Sequence, residues 1–186
     1  MLQVTTARLR REQHVFEPTW ESMEQYYVLL IQSFRPISEH LPTLRRLATG
    51  CENVAELGTC NGNSAFALMM GRPKTMRSVD LQECGYIDHL LRLSEISDTS
   101  FWFIRGDSRE FHLSTHLDLL LVDTDHTYDQ VKAELQLYKD QCRRYIVFHD
   151  TSTYPEIVPA IEEELTDFHM VEEYTNGHGL QVWERR

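Results

Sequence analysis

The stretch Val54-Ala-Glu-Leu-Gly-Thr-Cys-Asn-Gly-Asn-Ser-Ala65 limits what this chain can fold into more than any other. A short apolar run passes into a turn carrying Gly58 and Gly62, and a helical pattern resumes through Phe66, Leu68, Met69 and Met70. Strand, glycine turn and helix in that order form a ligand-binding device. Glycines let the backbone bend tightly and approach a ligand, and the free N–H groups opening the helix face the turn. A dinucleotide fingerprint, G-x-G-x-x-G, needs a middle glycine where this chain has Cys60, so a nicotinamide-dependent oxidoreductase is a poor reading.

The flanking sequence repeats the same alternation. Residues 1 to about 18 read as a polar arm. Trp20, Met23, Tyr27, Leu30 and Phe34 recur at helical spacing up to Pro36, and a second helix is expected from about Ser38 to Thr49. Strands are expected at Met76–Val79, Phe101–Ile104, His116–Val122 and Arg144–Phe148. Helices are expected from about Tyr86 to Ser94, from a capping box at Thr127–Gln130, and from Thr153-Tyr-Pro-Glu156. Met170–Tyr174 and Leu180–Trp183 read as a terminal antiparallel hairpin joined by Asn176-Gly-His-Gly179. Such alternation predicts a Rossmann-like, doubly wound α/β fold on a mostly parallel sheet. Residues 1–50 are expected to be an arm and helices covering the cleft, with 51–186 forming the ligand-binding domain of one compact unit.

Composition narrows the partners. Twenty-nine acids against 18 Lys and Arg give a net charge of −11, which disfavours nucleic acid or an anionic membrane, since neutralising phosphates takes clustered cations. No apolar run approaches the roughly 20 residues of a membrane span. The four cysteines stand apart, without a C-x-x-C pair, as expected of reduced thiols in a cytoplasmic protein.

The polar residues carry the functional signal. In open α/β sheets ligands sit beyond the carboxyl ends of the strands, and every expected strand ends there on an acid or small polar group: Glu56 with Gly58, Asp80, Asp107 with Ser108, Asp123 with Asp125, and His149 with Asp150. Asp80 stands where a carboxylate can accept from both hydroxyls of a ribose. Asp123, Asp125, His126, His149 and Asp150 come from neighbouring strand ends. Acids that close raise one another's pKa unless a cation sits among them. Mg²⁺ suits an oxygen-rich site, and a coordinating His149 would admit Mn²⁺, Fe²⁺ or Zn²⁺.

The glycine turn resembles the first motif of class I S-adenosylmethionine-dependent methyltransferases. Asp123-Thr-Asp-His-Thr-Tyr128 and His149-Asp-Thr151 resemble the D-x-D-H-x-Y and H-D-T motifs of a family that includes cephalosporin-hydroxylase-like proteins and sugar O-methyltransferases. The resemblance covers about Asn53 to Ile161 and implies a seven-stranded sheet. It implies S-adenosylmethionine held by Glu56, Gly58, Thr59, Asn61, Gly62, Ser64, Asp80, Leu81, Asp107, Ser108 and Asp123. It also implies Asp123 and Asp150 as metal ligands, with His149 as a third donor where many relatives have an acid, and Asp125 as general base. The expected reaction is metal-assisted O-methyl transfer to a small hydroxylated molecule of sugar or phenol type, in a homo-oligomer. A non-catalytic cofactor-binding or regulatory subunit of the same fold is the alternative.

Overall fold

The computed structural model describes residues 3–5, 18–113 and 116–186. Most of the polar arm, including Arg8, Arg10 and Arg11, lies outside them. In chain order the elements are β1 (Gln3–Thr5), α1 (Trp20–Ile31), α2 (Leu41–Ala48), β2 (Asn53–Leu57), α3 (Asn63–Met70), β3 (Thr75–Asp80), α4 (Ile87–Ser97), β4 (Ser100–Arg105), β5 (Leu117–Val122), α5 (Tyr128–Tyr138), β6 (Cys142–His149), α6 (Val158–Glu164), β7 (Phe168–Tyr174) and β8 (Leu180–Arg185).

The strands form one sheet in the order β1-β4-β3-β2-β5-β6-β8-β7. Strands β2 to β6 run parallel, and β8 and β7 close the far edge antiparallel. These are the seven strands expected from the sequence. The short β1 adds an antiparallel edge strand, pairing Gln3 with Arg105 and Thr5 with Phe103. From β2 the chain steps outward through β3 and β4, then returns to β5 on the other side of β2. That reversal opens a crevice at the carboxyl ends of β2 and β5.

The central strands are apolar on both faces, as a sheet covered by helices on both sides requires. Val54, Met76, Leu119, Leu121 and Val147 join the layer of α1 to α4, while Ala55, Leu57, Leu120, Ile146 and Phe148 join that of α5 and α6. On α2, Leu41, Leu44 and Leu47 are buried. Each contributes roughly 1.5–3 kcal/mol by leaving water.

Several boundaries differ from expectation for local reasons. Helix α1 starts at a reciprocal Thr19–Ser22 capping box and stops at Ile31, so Phe34 is fully exposed rather than on the buried face. The second helix is split: a 3₁₀ turn over Pro36–His40 precedes α2, which ends before Thr49. At α5, the Thr127 hydroxyl accepts from the Gln130 N–H, but the capping box is half made. The Gln130 side chain turns away to donate to Ser108 and Glu134.

Gly58 sits at the crevice with φ +89°, and a Cβ there would lie 1.9 Å from the Asp123 carbonyl oxygen. Gly50 has a similar φ of +86° with nothing within 4 Å of a Cβ. Gly50→Ala is therefore expected to cost only the left-handed backbone penalty of about 1–2 kcal/mol. Gly58→Ala, which adds a backbone clash, is expected to cost more than about 3 kcal/mol. Urea unfolding of the two variants checks this; equal losses would mean the close approach is not structural.

Candidate functional site

The glycine turn is locked to the sheet on both sides. The Gly58 N–H donates to the Val79 carbonyl and the Asp123 N–H to the Leu57 carbonyl, each at 2.8 Å. Asp80, closing β3, accepts from the Thr59 and Cys60 N–H groups through Oδ2 (2.8 Å each) and from the Gln82 N–H through Oδ1. The Asp80 carboxylate thus fixes the path of the turn while still lining the cleft.

Three cavities open at this edge; one, about 390 Å³, lies outside the glycine turn between Asn61, Asp80, Gln82 and Glu83, and the other two meet at Asp123. Of these two, the first, about 330 Å³, is lined by Gly58, Asp80, Leu81, Asp107, Ser108 and Asp123 among others, with Asp125 and Gln130 on its rim. The second, about 450 Å³, is lined by Arg35, Asn61, Ser64, His126, Asp150 and His178 among others. They share Cys60, Asp123 and Thr124. Asp123 is the acid common to both.

Around Asp123 the structure gathers a cluster of carboxylates and imidazoles. His149 Nε2 lies 3.0 Å from the Gly177 carbonyl and must donate to it, which points Nδ1 at Asp123 Oδ1 and Asp150 Oδ2, 3.3 Å from each. His126 Nε2 lies 2.7 Å from Asp150 Oδ2 and 3.5 Å from Asp123 Oδ1, but is out of line for a hydrogen bond to either. The Tyr154 ring stacks on His126 at 4.5 Å. His178 Nδ1 meets Asp150 Oδ1 at 3.0 Å. Asp150 itself adopts φ +63°, a conformation Asp tolerates better than most residues.

The electrostatics follow from this packing. The Asp123 and Asp150 carboxylates raise the His126 imidazole to about 9. Burial opposes charge on His149, but the same two acids outweigh it and raise the ring to about 10. Burial likewise pushes the Asp123 carboxyl up, yet His126 and His149 hold it below the usual range. In the metal-free protein, protons on the imidazoles therefore balance the two carboxylates. A divalent cation could replace those protons. One donor atom each from Asp123, His126 and Asp150 lies within 4.8 Å of the others, a spacing that suits joint ligation.

The remaining expected site residues sort plainly. Thr59, Asn61 and Ser64 reach the second cavity; Leu81, Asp107 and Ser108 line the first. Asp107 is gripped by Arg109. Gly62 caps α3 at φ +79° without lining either cavity. Glu56 is fully buried beneath the turn, accepting from the Ser64 and Ser78 hydroxyls, so it ties β2, β3 and α3 together rather than facing a ligand. Asp125 is exposed on the first cavity and is not brought to the cluster.

Sequence reasoning missed four contributors. His178 arrives on the β7–β8 loop, which the pairing of His149 with Leu180 returns to the end of β6. Tyr154 follows from the tight turn after Asp150, and Arg35 from the turn after α1. Glu134, buried on α5, accepts from Ser108, Thr124 and Gln130 and so braces the wall of the first cavity. Only the His178 placement was signalled, by glycines flanking it in a hairpin next to the fifth parallel strand.

Fold and site together define the class I, S-adenosylmethionine-dependent methyltransferase architecture. Residues 55–151 match the family described as methyltransferase domain, and the chain belongs to that family. None of the curated proteins matches the sequence. Solved structures agree on the fold. The N-methyltransferase NodS of Bradyrhizobium japonicum, bound to S-adenosyl-L-homocysteine, is 16 % identical, with 88 % of this chain and 98 % of that one aligned at a TM-score of 0.62. An O-methyltransferase of Bacillus cereus in complex with the same product is 14 % identical over 89 % and 90 % of the two chains, TM-score 0.63. A putative caffeoyl-CoA O-methyltransferase of Staphylococcus aureus is 13 % identical over 89 % and 92 %, TM-score 0.67. Among the described residues no helix is long and apolar enough to cross a membrane.

Burial raises the Glu56 carboxyl to about 8. The folded protein thus keeps a proton that the unfolded chain loses near pH 4.5, so this group makes stability fall as pH rises from about 4.5 to 8. Glu56→Gln is expected to flatten that part of the profile. Urea midpoints at pH 5 and pH 8 test it; an unchanged slope in the variant would show that Glu56 is ionised in the folded state.

Proposed function

We propose that the protein transfers a methyl group from S-adenosylmethionine to a hydroxyl of a small molecule of sugar or phenol type, assisted by a divalent metal. The observation that carries this reading is the pair of cavities meeting at Asp123. The first has the strand-end acids suited to an adenosine. The second holds the charged cluster suited to activating an oxygen.

In this reading Asp80 and Asp107 receive the ribose and adenine ends, Glu134 keeps the Ser108, Thr124 and Gln130 wall in place, and Thr59 and Asn61 face the methionine end. Asp123, His149 and Asp150, with His126 beside them, would hold the metal, which supplies a Lewis acid that lowers the acceptor's pKa. Mg²⁺ suits the carboxylates, while the imidazoles favour Mn²⁺, Fe²⁺ or Zn²⁺. Asp123 aligns the acceptor oxygen with the cavity holding the sulfonium; the cleft contributes mainly orientation and exclusion of water. As the new O–CH₃ bond forms and the S–CH₃ bond breaks, the hydroxyl proton passes to Nε2 of His126, which stands beside the three ligands and would be free of its own proton once a cation offsets the carboxylates. Asp125 serves as base only for an acceptor that reaches past Asp123 into the first cavity. We place the protein in the cytoplasm as a homo-oligomer.

Calorimetry with S-adenosylhomocysteine, with and without Mn²⁺, tests the cofactor reading. Wild type is expected to bind, and Asp80→Ala to bind at least about tenfold more weakly, because it removes a charged ribose partner together with the acceptor that holds the Thr59 and Cys60 N–H groups of the turn. Absence of binding by the wild type in either condition would overturn the enzyme reading. Asp123→Asn should separately abolish the Mn²⁺ heat. If methyl transfer survives in that variant after chelation, the metal has no part.

A further inference from the structure

We propose that the second cavity selects an acceptor carrying an anionic group, a carboxylate or a phosphate ester, with Arg35 engaging the anion while the Asp–His cluster receives the hydroxyl. This deepens the methyl-transfer reading and rests on it.

Arg35 lines the cavity that contains Asp123, His126, His149 and Asp150. Its guanidinium has no hydrogen bond, ion pair or ring partner among the described residues. Arg45 is occupied by Glu24, Arg46 by Glu172, and Arg109, the cation of the first cavity, by Asp107, which leaves the exposed Arg35 as the cation of the second cavity without a partner. An unpaired, planar guanidinium on a cavity wall is suited to bidentate capture of a carboxylate or phosphate.

The segment bearing Arg35 is also anchored from below. Pro36 restricts Arg35 to extended backbone, observed at φ −106° and ψ 140°. The Arg35 carbonyl accepts from the Ser38 N–H at 2.9 Å. His40, nearly fully buried, lies 3.0 and 3.1 Å from the Asn176 and Gly177 carbonyls. Gly177 is the residue that also orients His149. The hairpin loop therefore couples the position of Arg35's turn to that of the cluster, and the apolar Pro36 and Ile37 form the wall beside it. A ligand with a hydroxyl at one end and an anion at the other matches this polarity.

The test is calorimetry on wild type, Arg35→Gln and Arg35→Lys, saturated with S-adenosylhomocysteine and supplied with Mn²⁺. Two probe pairs separate the anion sources: 3,4-dihydroxybenzoate against 3,4-dihydroxybenzyl alcohol, and glucose 6-phosphate against glucose. One anionic probe is expected to bind wild type at least about tenfold tighter than its neutral partner. Arg35→Gln should remove that preference and Arg35→Lys restore part of it, with S-adenosylhomocysteine affinity unchanged in both. The proposal is overturned if neither anion is preferred, if the preference survives in Arg35→Gln, or if no probe binds. Failure of S-adenosylhomocysteine to bind wild type would instead remove the methyl-transfer reading itself, so the two failures are distinguishable.

Discussion

The close approach of Gly58 to the Asp123 carbonyl, at the point where the strand order reverses, is the constraint on which the site depends. Because no side chain intervenes, the end of β2 can lie directly against the end of β5. The glycine turn and the first acid of the Asp–His cluster then become neighbours. Asp80 bonds the same turn from the β3 side. The two cavities meet at Cys60, Asp123 and Thr124, next to backbone fixed on both flanks, and Asp123 is the one charged residue among the three.

Charge inside the cluster is managed by pairing rather than by solvent. Asp123 and Asp150 would repel each other in a buried site, and two imidazoles offset them. The arrangement of His149 is instructive. Its outward N–H is committed to Gly177, leaving the inward nitrogen to face two carboxylates. A neutral ring would point a lone pair at negative oxygens, so the site asks for either a proton or a metal ion there. The hairpin thus acts on the cluster at a distance, supplying the carbonyl that sets the His149 tautomer as well as His178 itself.

Much of this was legible in the sequence, and the reasons are local. Asp80, Asp123 and Asp150 each stand at the end of an expected strand, Asp123 after the unbroken run Leu119–Val122, and in a parallel sheet the ends of such strands must lie on one edge. Glu56 differs because it lies inside its strand, one residue before the last, rather than beyond the strand end. The pleat turns its side chain inward, opposite Ser78 in the β2–β3 register, and a polar residue within the third strand was the available clue. Phe34 was misplaced because the helical period continues past the point where the helix stops. Arg35, Tyr154 and Glu134 carry no local signature at all. Their roles come from how turns and helices dock on the sheet, which periodicity does not encode.

The central claim is that Asp123 divides a cofactor cavity from an acceptor cavity. A crystal structure with S-adenosylhomocysteine and Mn²⁺ tests it most directly. The account predicts adenosine beside Asp80 and Asp107, the sulfur directed past Asp123, and an anomalous peak between Asp123, His149 and Asp150. Adenosine found instead among Arg35, His126 and His178, or a sulfur turned away from Asp123, would contradict it.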